Sequence, residues 1–396
     1  MPDEIMLSAR EAAAELGVRV ETLYSYVSRG LIRSEPGPGR ARLYSASDVR
    51  AFRLRDPALR QQAEGGGTER SEPTIIHSSL TDIDPEFGPL YRGRRATELA
   101  GESSLESVAT LLWGCDGINP FDDEAPGRPL ASAPQALRAV ERAMVMLSAW
   151  PVVDRSAYAH HPSLLWRHGA ALCRLVASEL VNMPPSSLPI ADVMANAWGI
   201  KEESDRQLIS AALVLSADHE LNSSAYAVRV AASTGAPLHG ALVSGLGTFL
   251  GPKHGGASVQ VEHWLDGLPS DLDVAAMMEE RLMRADKLPG FGHLLYDQTD
   301  PRAVCLLNAI EEAYPDHLRM RLTQELIEEA KRLFGLAPNI DFSLAVLKDI
   351  LGLPETSGMA LFCAGRMVGW IGHAIEQYGS GQHIRPRAVY VGPKAI

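Results

Sequence analysis

The chain has 396 residues, 46% of them apolar and 22% charged, with a formal net charge of −12. That is enough chain for about two or three domains and a large core, and it excludes a disordered, collagenous or disulfide-stapled protein. The four cysteines, Cys115, Cys173, Cys305 and Cys363, form no CxxC pair, which removes a zinc ribbon and a thioredoxin-type site and fits a reducing compartment. No segment reaches the roughly 18 apolar residues of a membrane helix. Met1 to Leu7 lacks the basic-then-apolar order of a signal peptide. A soluble cytoplasmic protein, away from membranes, is expected.

Ser8-Ala-Arg-Glu11 is a capping box, and Ala12, Ala13 and Leu16 line one apolar face before Gly17 stops the helix. A second short helix runs from Glu21 to Arg29, with Leu23, Val27 and Tyr24 as inward candidates. Gly37-Pro-Gly-Arg40 turns between two short extended pieces. Ser45 and Ser47 open a third helix, with Val49 and Phe52 inward. Over residues 1–60 this is a winged helix-turn-helix layout. Charge singles out the same stretch: it holds ten Arg against eight Asp and Glu, while the rest holds 27 Lys and Arg against 41 acids. An acidic partner for this segment alone is one reading of that asymmetry.

Residues 61–74 contain the run QQAEGGGTERSE and read as a flexible linker. From 75 to 396 the pattern is mainly α and almost wholly helical, with helices expected at Leu105–Trp113, Ala136–Trp150, Pro162–Val181, Asp205–Ala217 and Gln324–Phe334.

Four residues here sit where chemistry concentrates. His219 follows an apolar helical run. His254 lies in Gly-Pro-Lys-His-Gly-Gly, His293 in Pro-Gly-Phe-Gly-His and Asp341 in Pro-Asn-Ile-Asp-Phe. Gly- and Pro-rich loops held by rigid helices are common seats of catalytic groups. Each residue alone also reads as a helix cap or a polar core residue. No two of them have metal-ligand spacing on a helix, so no metal site is expected. His160, His161 and His168 are expected at the surface.

The stretch SAREAAAELGVRVETLYSYVSRGLIRSEPGPGRARLYSASDVRAF resembles the DNA-binding domains of the MerR and excisionase type. That resemblance makes the second helix a recognition helix exposing Arg19, Thr22, Ser25 and Tyr26, with Arg40 and Arg42 of the wing offered to phosphates. DNA is thereby a candidate partner of residues 1–60, and a protein-docking module is the alternative.

The segments ALVLSADHELNSSAYAVRVAAST, GPKHGGAS, PGFGHLLYDQTDPRA, APNIDF, LFCAGRMVGWIGHAIEQ and IRPRAVYVG occur in the order seen in citrate synthases. The resemblance runs from about Thr81 to Gly392. It implies a citrate-synthase-like domain over 75–396 with large and small helical subdomains, the small one at about 257–342 and closing over the substrates. It implies condensation of acetyl-CoA with oxaloacetate to citrate and CoA, an acyl group becoming alkyl on transfer. 2-Methylcitrate synthase using propionyl-CoA is the neighbouring alternative, and a metabolite-sensing transcriptional regulator is the rival of another class. No cofactor is held permanently; the acyl-CoA is a co-substrate.

By the same resemblance Asp341 is the base, His254 stabilises the enol, and His293 polarises the ketone. His219, Arg302 and Arg366 hold the oxaloacetate carboxylates, with Arg385 supplied across a homodimer interface. Three stretches depart from the family pattern. Ser258 stands where Asn is usual, Gly292-His-Leu-Leu-Tyr-Asp297 stands for GHRVYK so that Leu294 or Asp297 replaces a basic residue, and Phe-Ser-Leu-Ala345 replaces Phe-Tyr-Ser-Gly. Lys253 and Arg284 are candidates for the missing positive charge.

Overall fold

The computed structural model describes residues 6–16, 18–37, 42–45, 48, 49, 52, 76–115, 117–134, 136–269, 272–296, 298–386, 388, 391 and 392. The chain folds as two compact units, Met1–Ile75 and Ile76–Ile396.

In the first unit, strand β1 (Met6–Ser8) runs into helix α1 (Ala9–Leu16), followed by α2 (Val20–Ser28), β2 (Ser34–Pro36) and β3 (Arg42–Ser45). The capping box forms at the start of α1: Ser8 N–H donates to Glu11 Oε2 at 2.8 Å, and Glu11 N–H donates to Ser8 Oγ at 3.3 Å. The two wing strands pair antiparallel with Ser34 opposite Tyr44. β1, which the sequence did not announce, adds to the other edge of β3 with Met6 opposite Ser45. Ala12, Ala13, Leu16, Leu23, Ile32, Tyr44, Val49 and Phe52 make the core. Arg40 and most of the expected third helix lie outside the described residues.

Two tyrosines of α2 correct the sequence reading. Tyr24 is exposed rather than inward, and Tyr26 is half-buried, its ring 4.7 Å from that of Phe52. Residue 26 is three positions from Leu23 and shares its face, while residue 24 sits about 100° round the helix. Arg19 and Ser25 are exposed and Thr22 is half-buried.

The second unit opens with a three-stranded antiparallel sheet, β4 (Thr81–Asp84), β5 (Gly88–Tyr91) and β6 (Arg94–Arg95), so it is not wholly helical. Asp84 builds the β4–β5 turn by accepting from the backbone N–H of Glu86 and Phe87 at 2.8 and 2.9 Å. The strands are too short for alternation to stand out in the sequence.

The helices that follow are α3 (Ala96–Glu102), α4 (Leu105–Trp113), α5 (Ala139–Ser148), α6 (Pro162–Leu180), α7 (Ile190–Ala197), α8 (Glu203–Leu215) and α9 (Ser223–Ser233). Then come α10 (Leu238–Phe249), α11 (Gly256–Asp266), α12 (Val274–Met283), α13 (Pro301–Ala313), α14 (Leu318–Phe334), α15 (Ile340–Ile350) and α16 (Ser357–Ser380). The expected helices are present, within a few residues at most ends. α14 starts earlier than its apolar stripe suggested, because His317 caps it by accepting from Arg319 N–H at 3.3 Å.

α16 is the axis of this unit. It is buried along nearly all of its 24 residues, and α4, α6, α8, α9 and α15 pack on it. His168 departs from its expected place at the surface. It is buried on α6, with Nε2 2.9 Å from Ser156 Oγ and 3.0 Å from Asp154 Oδ2. From His168 on α6 is buried at nearly every position, so the turn at 154–156 replaces solvent for this imidazole. His160 and His161 are exposed, as expected. Among the described residues, no helix is long and apolar enough to cross a membrane.

Candidate active site

Four stretches of the second unit bring the expected polar groups together. The turn after α8 carries Asp218 and His219, both buried. Asn222 then caps α9, its Oδ1 accepting from the N–H of Ser224 and Ala225 at 3.1 Å each. The turn 251–255 carries His254. A Cβ at Gly255 would stand 2.3 Å from the Phe249 ring, so only glycine lets this turn close against α10.

His293 sits on a loop laced to the segment ahead of Asp341. Phe291 bridges Pro338, Gly292 N–H donates to Ala337 O at 2.8 Å, and Asn339 N–H donates to Gly290 O at 2.9 Å. Gly290 has φ +80°, and a Cβ there would be 2.9 Å from Phe342 Cβ. Asn339 caps α15, which places Asp341 in its first turn.

His219 Nε2 is 2.8 Å from Tyr296 Oη, and its ring centroid is 5.1 Å from that of His293. Arg302 is buried and donates from Nε and Nη2 to both oxygens of Asp300 at 3.0 and 2.8 Å. Asp300 also accepts from Ile340 N–H at 3.1 Å, so it ties Arg302 to the start of α15. Arg366, buried on α16, donates from Nε to Ser216 O at 2.9 Å. Its buried Nη2 has no hydrogen-bond partner among the described residues. Such a group is an expected anchor for an anionic ligand.

Burial decides the protonation states. It pushes His254 and His293 down to about 4, helped by Arg366 at the first and by Arg302 at the second. His219 is held well below the ordinary histidine range by burial, with Arg302 and His293 adding to it. Burial raises Asp341 to about 6, against the opposing hydrogen bond from Ser258. It also pushes Arg366 down to about 10. Burial alone would raise Asp300, but the Arg302 guanidinium outweighs it and holds the carboxylate below its usual range. Near neutrality the site therefore holds neutral imidazoles, two guanidinium groups and one carboxylate whose affinity for protons is enhanced.

Residues 71–387 match the family described as "Citrate synthase, C-terminal domain", which is most of the chain. The chain belongs to the citrate synthase family. Residues 6–56 match the family described as "Helix-turn-helix domain". A relative named citrate synthase, from Haloferax volcanii, is 32% identical over 364 residues, covering 81% of this chain and 94% of its own. The crystal structure of a citrate synthase from Thermotoga maritima superposes with a TM-score of 0.69 at 27% identity, over 82% of this chain and 95% of that one. The citrate synthase of Thermoplasma acidophilum, solved as a ternary complex with carboxymethyl coenzyme A and oxaloacetate, has a TM-score of 0.65 at 24% identity. It covers 82% of this chain and 96% of its own, and at that identity the likeness is one of fold.

Set against the family pattern, Arg385 stays apart. It is exposed beyond α16, and no hydrogen bond or ion pair joins it to these groups among the described residues. Lys253 is exposed, and Arg284 is paired with Glu280 one helical turn before it. Leu294 is exposed and Asp297 lies outside the described residues. Sequence reading did not single out Ser224, Tyr296 or Asp300 as partners of the site. Asp300 carries a visible signal, an Asp-Pro-Arg helix start. Tyr296 and Ser224 carry none, since they reach histidines distant in the chain.

Proposed function

We propose that the protein condenses acetyl-CoA with oxaloacetate, giving citrate and CoA. Asp341 takes a proton from the methyl carbon of the thioester, and His254 donates a hydrogen bond to the thioester oxygen as it becomes an enol. The enol carbon attacks the oxaloacetate ketone while His293 donates its proton to the developing alkoxide, and the proton that Asp341 took restores the neutral imidazole. Water then cleaves the citryl thioester. A carboxylate is too weak a base to make a free carbanion, so stabilisation of the enol oxygen must accompany proton removal. His219, Arg302 and Arg366 supply donors for the two carboxylates of oxaloacetate. We infer also that residues at about 257–342 close over the substrates, and that Arg385 acts from a second copy of the chain in a homodimer.

The observation that carries this reading is the wiring of His254. Its Nε2 is 2.6 Å from Ser224 Oγ, and Trp370 Nε1–H donates to the same oxygen at 3.0 Å. The Ser224 hydroxyl in turn donates to Asn222 Oδ1 at 2.7 Å, an oxygen that also accepts from the backbone N–H of Ser224 and Ala225. Ser224 Oγ therefore holds the plane of the His254 ring at Nε2, and burial, which pushes the ring down to about 4, keeps it neutral. A neutral N–H stabilises an enol oxygen without adding full charge.

The test is thiol release from acetyl-CoA and from propionyl-CoA, each with and without oxaloacetate, with Asp341→Asn as control. Oxaloacetate-dependent release that vanishes in the variant supports the enzyme. The ratio of the two rates separates citrate from 2-methylcitrate synthesis, a choice of one methylene worth about 1–3 kcal/mol in an apolar pocket.

A second reading concerns the first unit alone. The helix-turn-helix match, with Arg19 exposed at the start of α2, supports contact with DNA. Binding that weakens at least tenfold between about 50 and 200 mM salt supports it, and no binding at low salt refutes it.

A further inference from the structure

The carboxylate of Asp341 has one side-chain hydrogen-bond donor among the described residues, and it is Ser258 Oγ, which donates to Oδ1. Ser258 is fully buried in the first turn of α11, on the helix that follows directly from His254. α11 packs against α15, which carries Asp341. Asn is usual at this position in the family pattern, so a hydroxyl here is a departure of this sequence.

We propose that Ser258 is a positioning residue for the base. Its hydroxyl holds Oδ1, fixes the plane of the carboxylate, and leaves Oδ2 as the oxygen that receives the methyl proton. A serine hydroxyl has one proton to give and a short reach, so it fixes one oxygen only. The bond to the ionised carboxylate is charge-assisted and stronger than a neutral one. It therefore favours the charged form and opposes the burial that raises Asp341. When the carboxylate takes up the substrate proton, that bond weakens, so Ser258 also favours return of the base to its active form. The proposal rests on the reading of Asp341 as the base.

The test is an isotope-edited carboxyl titration of Asp341 in the full chain, without substrate, assigned with Asp341→Asn. It is run on the wild type, Ser258→Ala and Ser258→Thr, beside the pH profile of kcat/KM. Ser258→Ala is expected to move the titration and the acid limb of the profile upward by about one to two pH units, the size that a charge-assisted bond gives. At pH 7 kcat falls about tenfold, with KM for oxaloacetate unchanged. Ser258→Thr keeps the hydroxyl and restores both. A Ser258→Ala protein that is folded but titrates like the wild type overturns the proposal, whatever its rate. So does a Ser258→Thr protein that titrates like the alanine variant. If the wild type turns over no acyl-CoA, the carboxyl titration still reads the bond, and the failure then falls on the proposed reaction.

Discussion

Replacing Ser224 with alanine tests the wiring of His254 most directly. The hydroxyl lies between His254 Nε2 at 2.6 Å and Trp370 Nε1 at 3.0 Å, with Trp370 fully buried. Its removal leaves the indole N–H without that partner, a cost of about 1–3 kcal/mol in stability. It also removes the contact that holds the imidazole plane, so the ring can turn away from the thioester oxygen. Loss of a preorganised donor to a developing oxyanion costs about 10²–10³-fold in rate. The loss should fall on kcat, since the enol oxygen exists only beyond the ground state, and KM for oxaloacetate should hold. Thiol release under saturating substrates gives kcat, and a denaturant titration gives the stability change. A stable Ser224→Ala protein whose kcat stays within about threefold of the wild type would refute the positioning of His254 by Ser224.

Other outcomes follow from the same geometry. Turnover should rise through a single ionisation near pH 6: Asp341 titrates at about 6 and works as the carboxylate, while His254 and His293, at about 4, are already neutral. A kcat/KM profile flat from pH 5 to 8 contradicts this. Arg366→Gln should raise KM for oxaloacetate about ten- to a hundredfold through loss of a charged donor, with little effect on kcat, in steady-state kinetics. Gly290→Ala places a Cβ 2.9 Å from Phe342 Cβ at φ +80°. It should destabilise the protein by about 2–5 kcal/mol, read as an earlier denaturant midpoint.

Much of the site was legible because its residues lie in short Gly- and Pro-marked segments where backbone geometry restricts the choice of residue. His254 between glycines and His293 after Gly290 and Gly292 show this. Asp300 was half-legible, since its capping role shows in Asp-Pro-Arg while its double grip on Arg302 and α15 does not. Tyr296 and Ser224 were hidden because a contact between distant stretches leaves no local pattern. His168 misled for a related reason: on a helix its neighbours in sequence say little about what covers it, and here the turn at 154–156 does. The N-terminal tyrosines show how one position of phase on a short helix exchanges a surface residue for a core one. β1 and β4 to β6 escaped because pairing, and not propensity, defines strands this short.

The hydrogen bonds between Gly290–Gly292 and Ala337–Asn339 have a further consequence. They fasten the loop of His293 to the segment ahead of Asp341, so the spacing of the two side chains is set once, by the backbone. A substitution on either side of the seam changes the setting of both groups, and its effect depends on what stands opposite. Over evolutionary drift the two segments are therefore expected to change in concert, with changes tolerated in pairs that neither segment accepts alone.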